Sequence, residues 1–522
     1  MASLFSSFGY NFGGQLIARV VSFAINMYLL RKIDNDVLGL VNVRLTLLYT
    51  SILFLTREPM RKANIMGESQ QKFINLLWMS PIIATFLSFI CIFIWLTFST
   101  TSENVSSFVL LSFPISAIIE TLAEPFAVIA LRFNLGQHFA IGQGILVCMK
   151  RIFVFFALIL FPDVYHLDLF AYAQYFGSIS YLIFNVVAFK SYIKNQSKAE
   201  LKDFQTFETL LPKPSEGLDS QSITAISTMF SHSILKQLIT DGSAYIMTFT
   251  DMLSLKNQAV FDAVERVGSL VARTILAPLE ENCYAHFANH LHQQRIAKHE
   301  KNINSNENQK IIDTLATILH IVGVIGCVVC VFGIPYSPTV IHFYGGTLLS
   351  ANGGAVLLSL YSAYVFVMAV NGITECFAMA SMDNKQVLLH GKFLFFSAIG
   401  HLTINYVLCV YLNSAGFIVA NIINMIIRIG YSWRHISTFL GPERTPSIFT
   451  VLPTSSTVVF LFASFFATGF SYLIFGATPG LSHTLAHLAI GAVLFSVLSM
   501  SIAQHDPVFF GIINGFLKDH TA

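Results

Sequence analysis

The chain has 522 residues, 54% of them hydrophobic, 13% aromatic and only 11% charged, with a formal net charge of +2. Soluble globular proteins carry about 25% charged residues, so the composition excludes a soluble fold and describes a polytopic membrane protein. A charge this close to zero offers no global basic field for nucleic acid.

A bilayer-spanning helix needs about 20 mostly apolar residues. The chain offers about fourteen such segments, centred near Phe23, Leu47, Leu87, Ala117, Phe155, Ile179, Ile239, Ser269, Val322, Phe366, Ser397, Ile423, Leu461 and Ala492. The first lacks the charged start and small-residue cleavage site of a removable signal peptide, so it is expected to remain as a helix. It places Gln15, Arg19, Ser22 and Asn26 on one helical face. The second carries Arg44 and closes on the run Arg57–Lys62, either an inside anchor or a docking surface for phosphate through Arg57, Arg61 and Lys62. Asn104-Val105-Ser106 follows the third segment on the opposite side and makes Asn104 a candidate glycosylation site. The fourth carries Glu120 and Glu124, and the fifth carries Gln143, Lys150 and Arg151.

The polar stretch from Lys194 to Ser222 reads as a flexible linker, with Asn195 in a sequon expected to stay bare on the cytosolic side. The seventh and eighth segments are the most polar. His232, Lys236, Thr240 and Ser243 share one face of the former, with Asp241 beside them. Asp262, Arg266, Ser269, Arg273 and Glu280 form a similar stripe on the latter. His290 to Gln309 reads as a second flexible linker, and Pro335 to Gly354 as a short interfacial helix. Asn371 and Glu375 sit in the tenth segment. The seven cysteines are scattered, and Cys327 and Cys330 form a CxxC with no second pair or nearby histidines, which suits small hydrophobes better than a metal site.

Lysines and arginines set the orientation. Eighteen fall in loops after even-numbered segments, against Arg31, Lys32 and Lys256 after odd-numbered ones, so both termini are expected in the cytosol. Internal similarity sets the organisation. A shift of 222 superposes Asn35, Arg44, Leu48 and Glu58 on Asn257, Arg266, Leu270 and Glu280, and Glu120-x-x-x-Glu124-Pro-Phe-Ala resembles Asn371-x-x-x-Glu375-Cys-Phe-Ala. The expected fold is therefore all-α, with two pseudo-symmetric six-helix bundles and two further C-terminal helices. The expected divisions are an N-terminal lobe (1–194), a cytosolic linker (195–222), a C-terminal lobe (223–440) and an added pair (441–522). Duplicated transporters place substrate between such halves.

An arginine or lysine at the bilayer centre costs about 2.5–3.5 kcal/mol even on the lenient insertion scale. Arg19, Arg44, Lys150, Arg151, Lys236, Arg266 and Arg273 are therefore expected to face partners or water. Two arrangements satisfy them: structural ion pairs with Glu120, Glu124, Asp241, Glu265, Glu280 or Glu375, or a wet cavity that attracts an anion. No GxxxxGK[ST] phosphate loop and no HExxH occurs, and the far-side loops lack paired acids for sugar transfer. Enzymatic chemistry and a cofactor are accordingly not expected.

Several ordered blocks carry a resemblance. KQLITDGSAYIMTF, VGSLVAR and PLEENCY, between Lys236 and Tyr284, resemble the signature of the eukaryotic dolichol-linked oligosaccharide translocation family, in the multidrug/oligosaccharidyl-lipid/polysaccharide exporter superfamily. RLTLLYTSILFLTREPMRKA, NGITECFAMASM and AGFIVANIINMIIRI extend the match from Arg44 to Arg428. AVERVGS departs from it by placing Glu265 and Arg266 before the glycine. The resemblance implies an endoplasmic reticulum protein that moves a dolichol-diphosphate heptasaccharide from the cytosolic to the lumenal leaflet for N-glycosylation. Its partners would be that lipid, membrane lipids and other proteins of the N-glycosylation pathway. Diphosphate contacts are expected from the seven cations above, and sugar contacts from Asn26, Gln143 and Asn371. Two other readings stay open: an ion-coupled antiporter using Glu120, Glu124, Asp241 or Glu375, and an accessory protein that moves no lipid itself.

Overall fold

The computed structural model describes residues 23–63, 70–99, 105–133, 135–194, 206–218, 220–250, 252–299, 305–441, 443–476 and 480–511. Arg19 and Asn104 lie outside them, as does the side chain of Lys62. The described chain is helical throughout, apart from turns and short loops. Helices here are numbered α1 (Asn35–Gly39), α2 (Thr46–Ala63), α3 (Gln70–Leu77), α4 (Met79–Phe98), α5 (Ser107–Leu122), α6 (Glu124–Arg132), α7 (Gly136–Leu160) and α8 (His166–Lys194). They continue with α9 (Ser220–Thr240), α10 (Gly242–Phe249), α11 (Leu255–Val271), α12 (Ala277–His299), α13 (Ser305–Ala351), α14 (Gly354–Ser381), α15 (Asn384–Leu412), α16 (Ser414–Leu440), α17 (Ser455–Ser471) and α18 (Leu481–His505). π-helical turns join α1 to α2 at Leu40–Leu45 and α11 to α12 at Ala272–Leu276.

Among the described residues, ten helices are long and apolar enough to cross a membrane, and α5 with α6, bent by 42°, make an eleventh. The chain is thus a multi-pass membrane protein, and these spans take up eleven of the fourteen sequence segments. The segment at Phe23 falls largely outside the described residues. Those at Ile239 and Ser269 are helical but broken or polar: the first breaks at Asp241 and the second holds Asp262, Glu265, Arg266, Arg273 and Glu280. The outer surface suits lipid: Phe86, Phe89 and Phe93 on α4 are 67–70% exposed, while Ala84 and Ser88 on its other face are buried.

The chain divides into two compact units, Met1–Ala259 and Val260–Ala522. In the first, α2 packs on α4, α5 and α9, α5 packs on α4 and α8, and α8 packs on α7. In the second, α14 packs on α12, α13 and α16, α16 packs on α15, and α17 packs on α13 and α18. His320 of α13 bonds the Asp506 carboxylate at 2.8 Å and the Thr450 carbonyl at 3.1 Å, which ties the end of α18 to α13.

Three local expectations change. Residues 206–218 are laid down on unit 1 and are not a free tether. Leu210 is 1% exposed, and Phe207 stacks on Phe126 with ring centroids 5.8 Å apart. Trp78 Nε1 donates to the Leu210 carbonyl at 2.8 Å. Asn75 Nδ2 donates to the carbonyls of Lys213 (2.8 Å) and Gly217 (2.9 Å), and its oxygen accepts from the Lys213 amide at 2.7 Å. A few apolar anchors and one amide suffice where the overall composition is polar. Each such bond contributes about 0.5–1.5 kcal/mol. Asn75→Ala should therefore raise local opening of this strap by about tenfold or more, read as faster cleavage after Glu208 by a glutamate-specific protease.

The second polar stretch is mostly helical, because α12 continues to His299 and α13 begins at Ser305. The proposed interfacial helix is instead the continuation of α13, which passes Pro335 and Pro338 and first breaks at Gly346, where φ is +62°. Pro338 cannot donate to the Ile334 carbonyl, and Ser359 Oγ of α14 takes that place at 3.4 Å.

A buried cation and carboxylate network in unit 1 and an acid pair site in unit 2

Five helices of unit 1 converge on Glu120 and Glu124, both 0% exposed. The Glu124–Pro125 pair starts α6 after the Ala123 bend, so the two acids sit on successive helix segments and point to the same neighbours. Glu120 Oε1 accepts from Lys150 Nζ of α7 at 3.0 Å, from Ser178 Oγ of α8 at 2.9 Å and from the Tyr49 hydroxyl of α2. Lys150 Nζ also lies 2.6 Å from the Tyr49 hydroxyl and 4.2 Å from its ring centroid. Its stem passes over Gly177 of α8, where a Cβ would stand 2.3 Å from Lys150 Cγ, so a side chain there would displace it.

Arg57 of α2 reaches both acids: Nη2 lies 3.2 Å from Glu120 Oε2 and Nε 2.9 Å from Glu124 Oε2. Arg61, one turn on, closes a two-point contact with Glu124 at 2.5 and 3.1 Å. Among the described residues three cations therefore meet two carboxylates, leaving one positive charge. The Arg61 side chain is 27% exposed and that of Lys150 18%, so the surplus is not fully sealed from the surroundings.

The other candidates fall outside this network. Arg44 is 2% exposed, and its Nε donates to Gln258 at 3.1 Å. Gln258 in turn caps the carbonyls of Met247 and Leu253. Gly39 of α1 meets the Leu255 carbonyl so closely that a Cβ would stand 1.9 Å from its oxygen. Gln143 donates to the Tyr181 hydroxyl at 3.2 Å, while Asn26 and Arg151 are half-buried. Lys236 is exposed and pairs with Glu58 at 2.8 Å, and Asp241 accepts from Gln237 at 2.6 Å.

In unit 2, Arg266 pairs with Asp262 one turn back, at 2.8 Å. Arg273 donates to Ser269 Oγ from both Nε and Nη2, and no described carboxylate of its own unit pairs with it. A second acid site lies where α14, α15 and α16 meet. Glu375 of α14 receives Arg428 Nη2 of α16 on both oxygens, at 2.5 and 2.6 Å, and Asn371 Nδ2 at 3.1 Å, with His390 Nε2 of α15 at 3.7 Å. The Glu280 carboxyl of α12 rests on Gly372, where a Cβ would stand 1.9 Å from Oε1. Tyr49, Ser178, His390 and Arg428 were not among the sequence candidates. Arg428, an isolated arginine inside an apolar run, carried a visible signal, whereas the other three look like ordinary helix residues.

The sequence model of the Rft protein family matches residues 3–514. The chain belongs to this Rft family. A Caenorhabditis elegans relative named "Man(5)GlcNAc(2)-PP-dolichol translocation protein RFT1" is 63% identical over 99% of both chains. A Xenopus tropicalis relative of the same name is 32% identical, covering 92% of this chain and 91% of its own. Among solved structures, "Lipid II flippase MurJ, inward closed conformation" aligns with a TM-score of 0.55 at 14% identity, over 94% of this chain and 98% of that one. The Rft chain thus shares its fold with that protein.

Proposed function

We propose that this protein translocates Man(5)GlcNAc(2)-PP-dolichol from the cytosolic to the lumenal leaflet of the endoplasmic reticulum, supplying N-glycosylation without catalysing a bond change. The observation that carries the reading is the 63% identity, along 99% of both chains, to a relative bearing that translocation name. The geometry supports it through the unit 1 network, whose surplus positive charge suits a diphosphate. Burying a sugar hydroxyl without a hydrogen-bond partner costs roughly 2–7 kcal/mol, so a head group of seven sugars needs a polar route while its polyisoprenoid tail stays in lipid. Fourteen spans, twelve in two related six-helix bundles and two added at the C-terminal end, with both termini cytosolic, complete the proposal. The parallel packing of the two units, in which α5 contacts α2, α4 and α8 while α14 contacts α12, α13 and α16, supports the duplication.

Purified protein in liposomes with a labelled dolichol-diphosphate heptasaccharide tests it. Translocation above protein-free liposomes is expected, and Lys236→Ala should slow it without loss of folded protein. No lipid movement by the pure protein would overturn the reading in favour of an accessory role in the pathway.

A further inference from the structure

Unit 2 contains a run of buried polar groups that diphosphate recognition leaves unused. On α15, His390, Ser397, His401 and Asn405 follow at spacings that keep them on one helix face. Asn424 and Arg428 stand one turn apart on α16, as do Asn371 and Glu375 on α14. Beyond the Glu375 contacts already described, Ser397 Oγ donates to Asn424 Oδ1 at 2.9 Å and Asn405 Nδ2 to His401 Nε2 at 2.9 Å. Asn371, His390, His401 and Asn405 are each at most 5% exposed.

Five polar atoms on this seam have no hydrogen-bond partner among the described residues: Asn371 Oδ1, His390 Nδ1, Arg428 Nε, His401 Nδ1 and Asn405 Oδ1. The Ala420 backbone lies near the His401 ring without forming a hydrogen bond to Nδ1. Burying unpaired polar atoms is costly, and five on one seam call for a constituent that satisfies them. They include acceptors, the two amide oxygens, and donors, the Arg428 Nε–H and the His401 Nδ1–H left once Nε2 accepts from Asn405. A metal cation serves acceptors alone and is repelled by Arg428, whereas water serves both kinds.

Charge adds a second argument. Glu280, with Glu281 next to it, lies within electrostatic range of Glu375 and Arg428. Glu280, Glu375 and Arg428 together leave one negative charge, which a single proton neutralises. The titratable groups around His390 are Glu375 on α14 and Tyr431 and His435 on α16, with Asp383 acting on His435 and Arg428 sharing Glu375. Buried chains of acids and histidines in membrane proteins serve as proton relays. We propose that the seam between α14, α15 and α16 is a hydrated proton path, with water running from Asn405 and His401 past Asn424 and Arg428 and one proton held by the Glu280–Glu375–His390 group. It rests on the transport reading only for what the proton drives.

Hydroxyl-radical footprinting of the purified full chain tests the hydration without any transport, because radicals formed from buried water oxidise the side chains next to it. His390 and His401 should oxidise several-fold faster than His138, which is equally buried but bonds Tyr192 and Asn185 through its two ring nitrogens. Equal protection of all three histidines overturns the path. The proton is tested in proteoliposomes with a labelled dolichol-diphosphate oligosaccharide. One coupled proton turns a gradient of one pH unit into about a tenfold excess of lipid on one leaflet. Asn405→Leu should abolish that excess and leave gradient-free movement at the wild-type rate. Wild-type movement that ignores the gradient overturns proton coupling while transport stands. No movement at all overturns transport, and the footprint then decides the path alone.

Discussion

Glu120→Ala should leave little folded protein in a membrane extract. The Glu120 carboxylate is fully buried and takes contacts from four groups: Tyr49, Lys150, Ser178 and Arg57. Without it, among the described residues Arg57 keeps only Glu124, which Arg61 already holds, and Lys150 keeps only the Tyr49 hydroxyl. Removing one partner of a buried pair costs about 3–5 kcal/mol, a large share of the roughly 5–15 kcal/mol that holds a typical protein folded. Glu120→Gln keeps the shape and one acceptor oxygen but loses the charge, and should fall between alanine and wild type. Adding Lys150→Met to Glu120→Ala removes one stranded cation and should restore part of the loss. Thermal unfolding in detergent, followed by size-exclusion yield, ranks the four proteins. A Glu120→Ala protein that melts with the wild type would mean that the network contributes nothing to folding.

The same network shows what sequence could and could not reveal. The charges themselves were legible, because Lys150, Glu120 and Arg57 interrupt apolar runs that must otherwise face lipid. Pairings within one helix were legible too: Arg266 and Asp262 stand four residues apart, and the structure joins them. Pairings between helices were not, since nothing in the spacing tells Lys150 of α7 that Glu120 of α5 is its partner, or that Gly177 of α8 clears the way. The eleven apolar spans followed from composition alone, whereas Asp241 broke one further helix and charge obscured another. Polar stretches misled in the opposite direction. Residues 206–218 are held by Phe207 on Phe126 of α6, by Leu210 on Trp78 and by the Asn75 bonds from α3, a tertiary effect that local polarity hides. Pro335 and Pro338 suggested a break that α13 does not make, because Ser359 of α14, a neighbour in space only, takes up the freed carbonyl.

Arg428→Ala is expected to have the largest effect in unit 2, and the comparison with a double substitution separates structure from transport. Arg428 Nη2 holds both oxygens of Glu375, whose side chain is 20% exposed, and the remaining neighbours are Asn371 and a histidine at 3.7 Å. Alanine at 428 leaves Glu375 next to a second carboxylate, Glu280, with no guanidinium to offset either. The expected cost is again about 3–5 kcal/mol, measured as a fall in melting temperature. Replacing both members of a buried pair by apolar residues of similar volume is often neutral or stabilising, so Arg428→Met with Glu375→Met should recover most of the stability. If the pair only braces α14 against α16, the double variant also recovers lipid movement and its response to a pH gradient. If Glu375 holds a transported proton, the double variant folds and moves lipid but stays indifferent to the gradient. Recovery of the gradient response without a carboxylate at 375 would therefore show the pair to be a brace, and would remove Glu375 from the proton path.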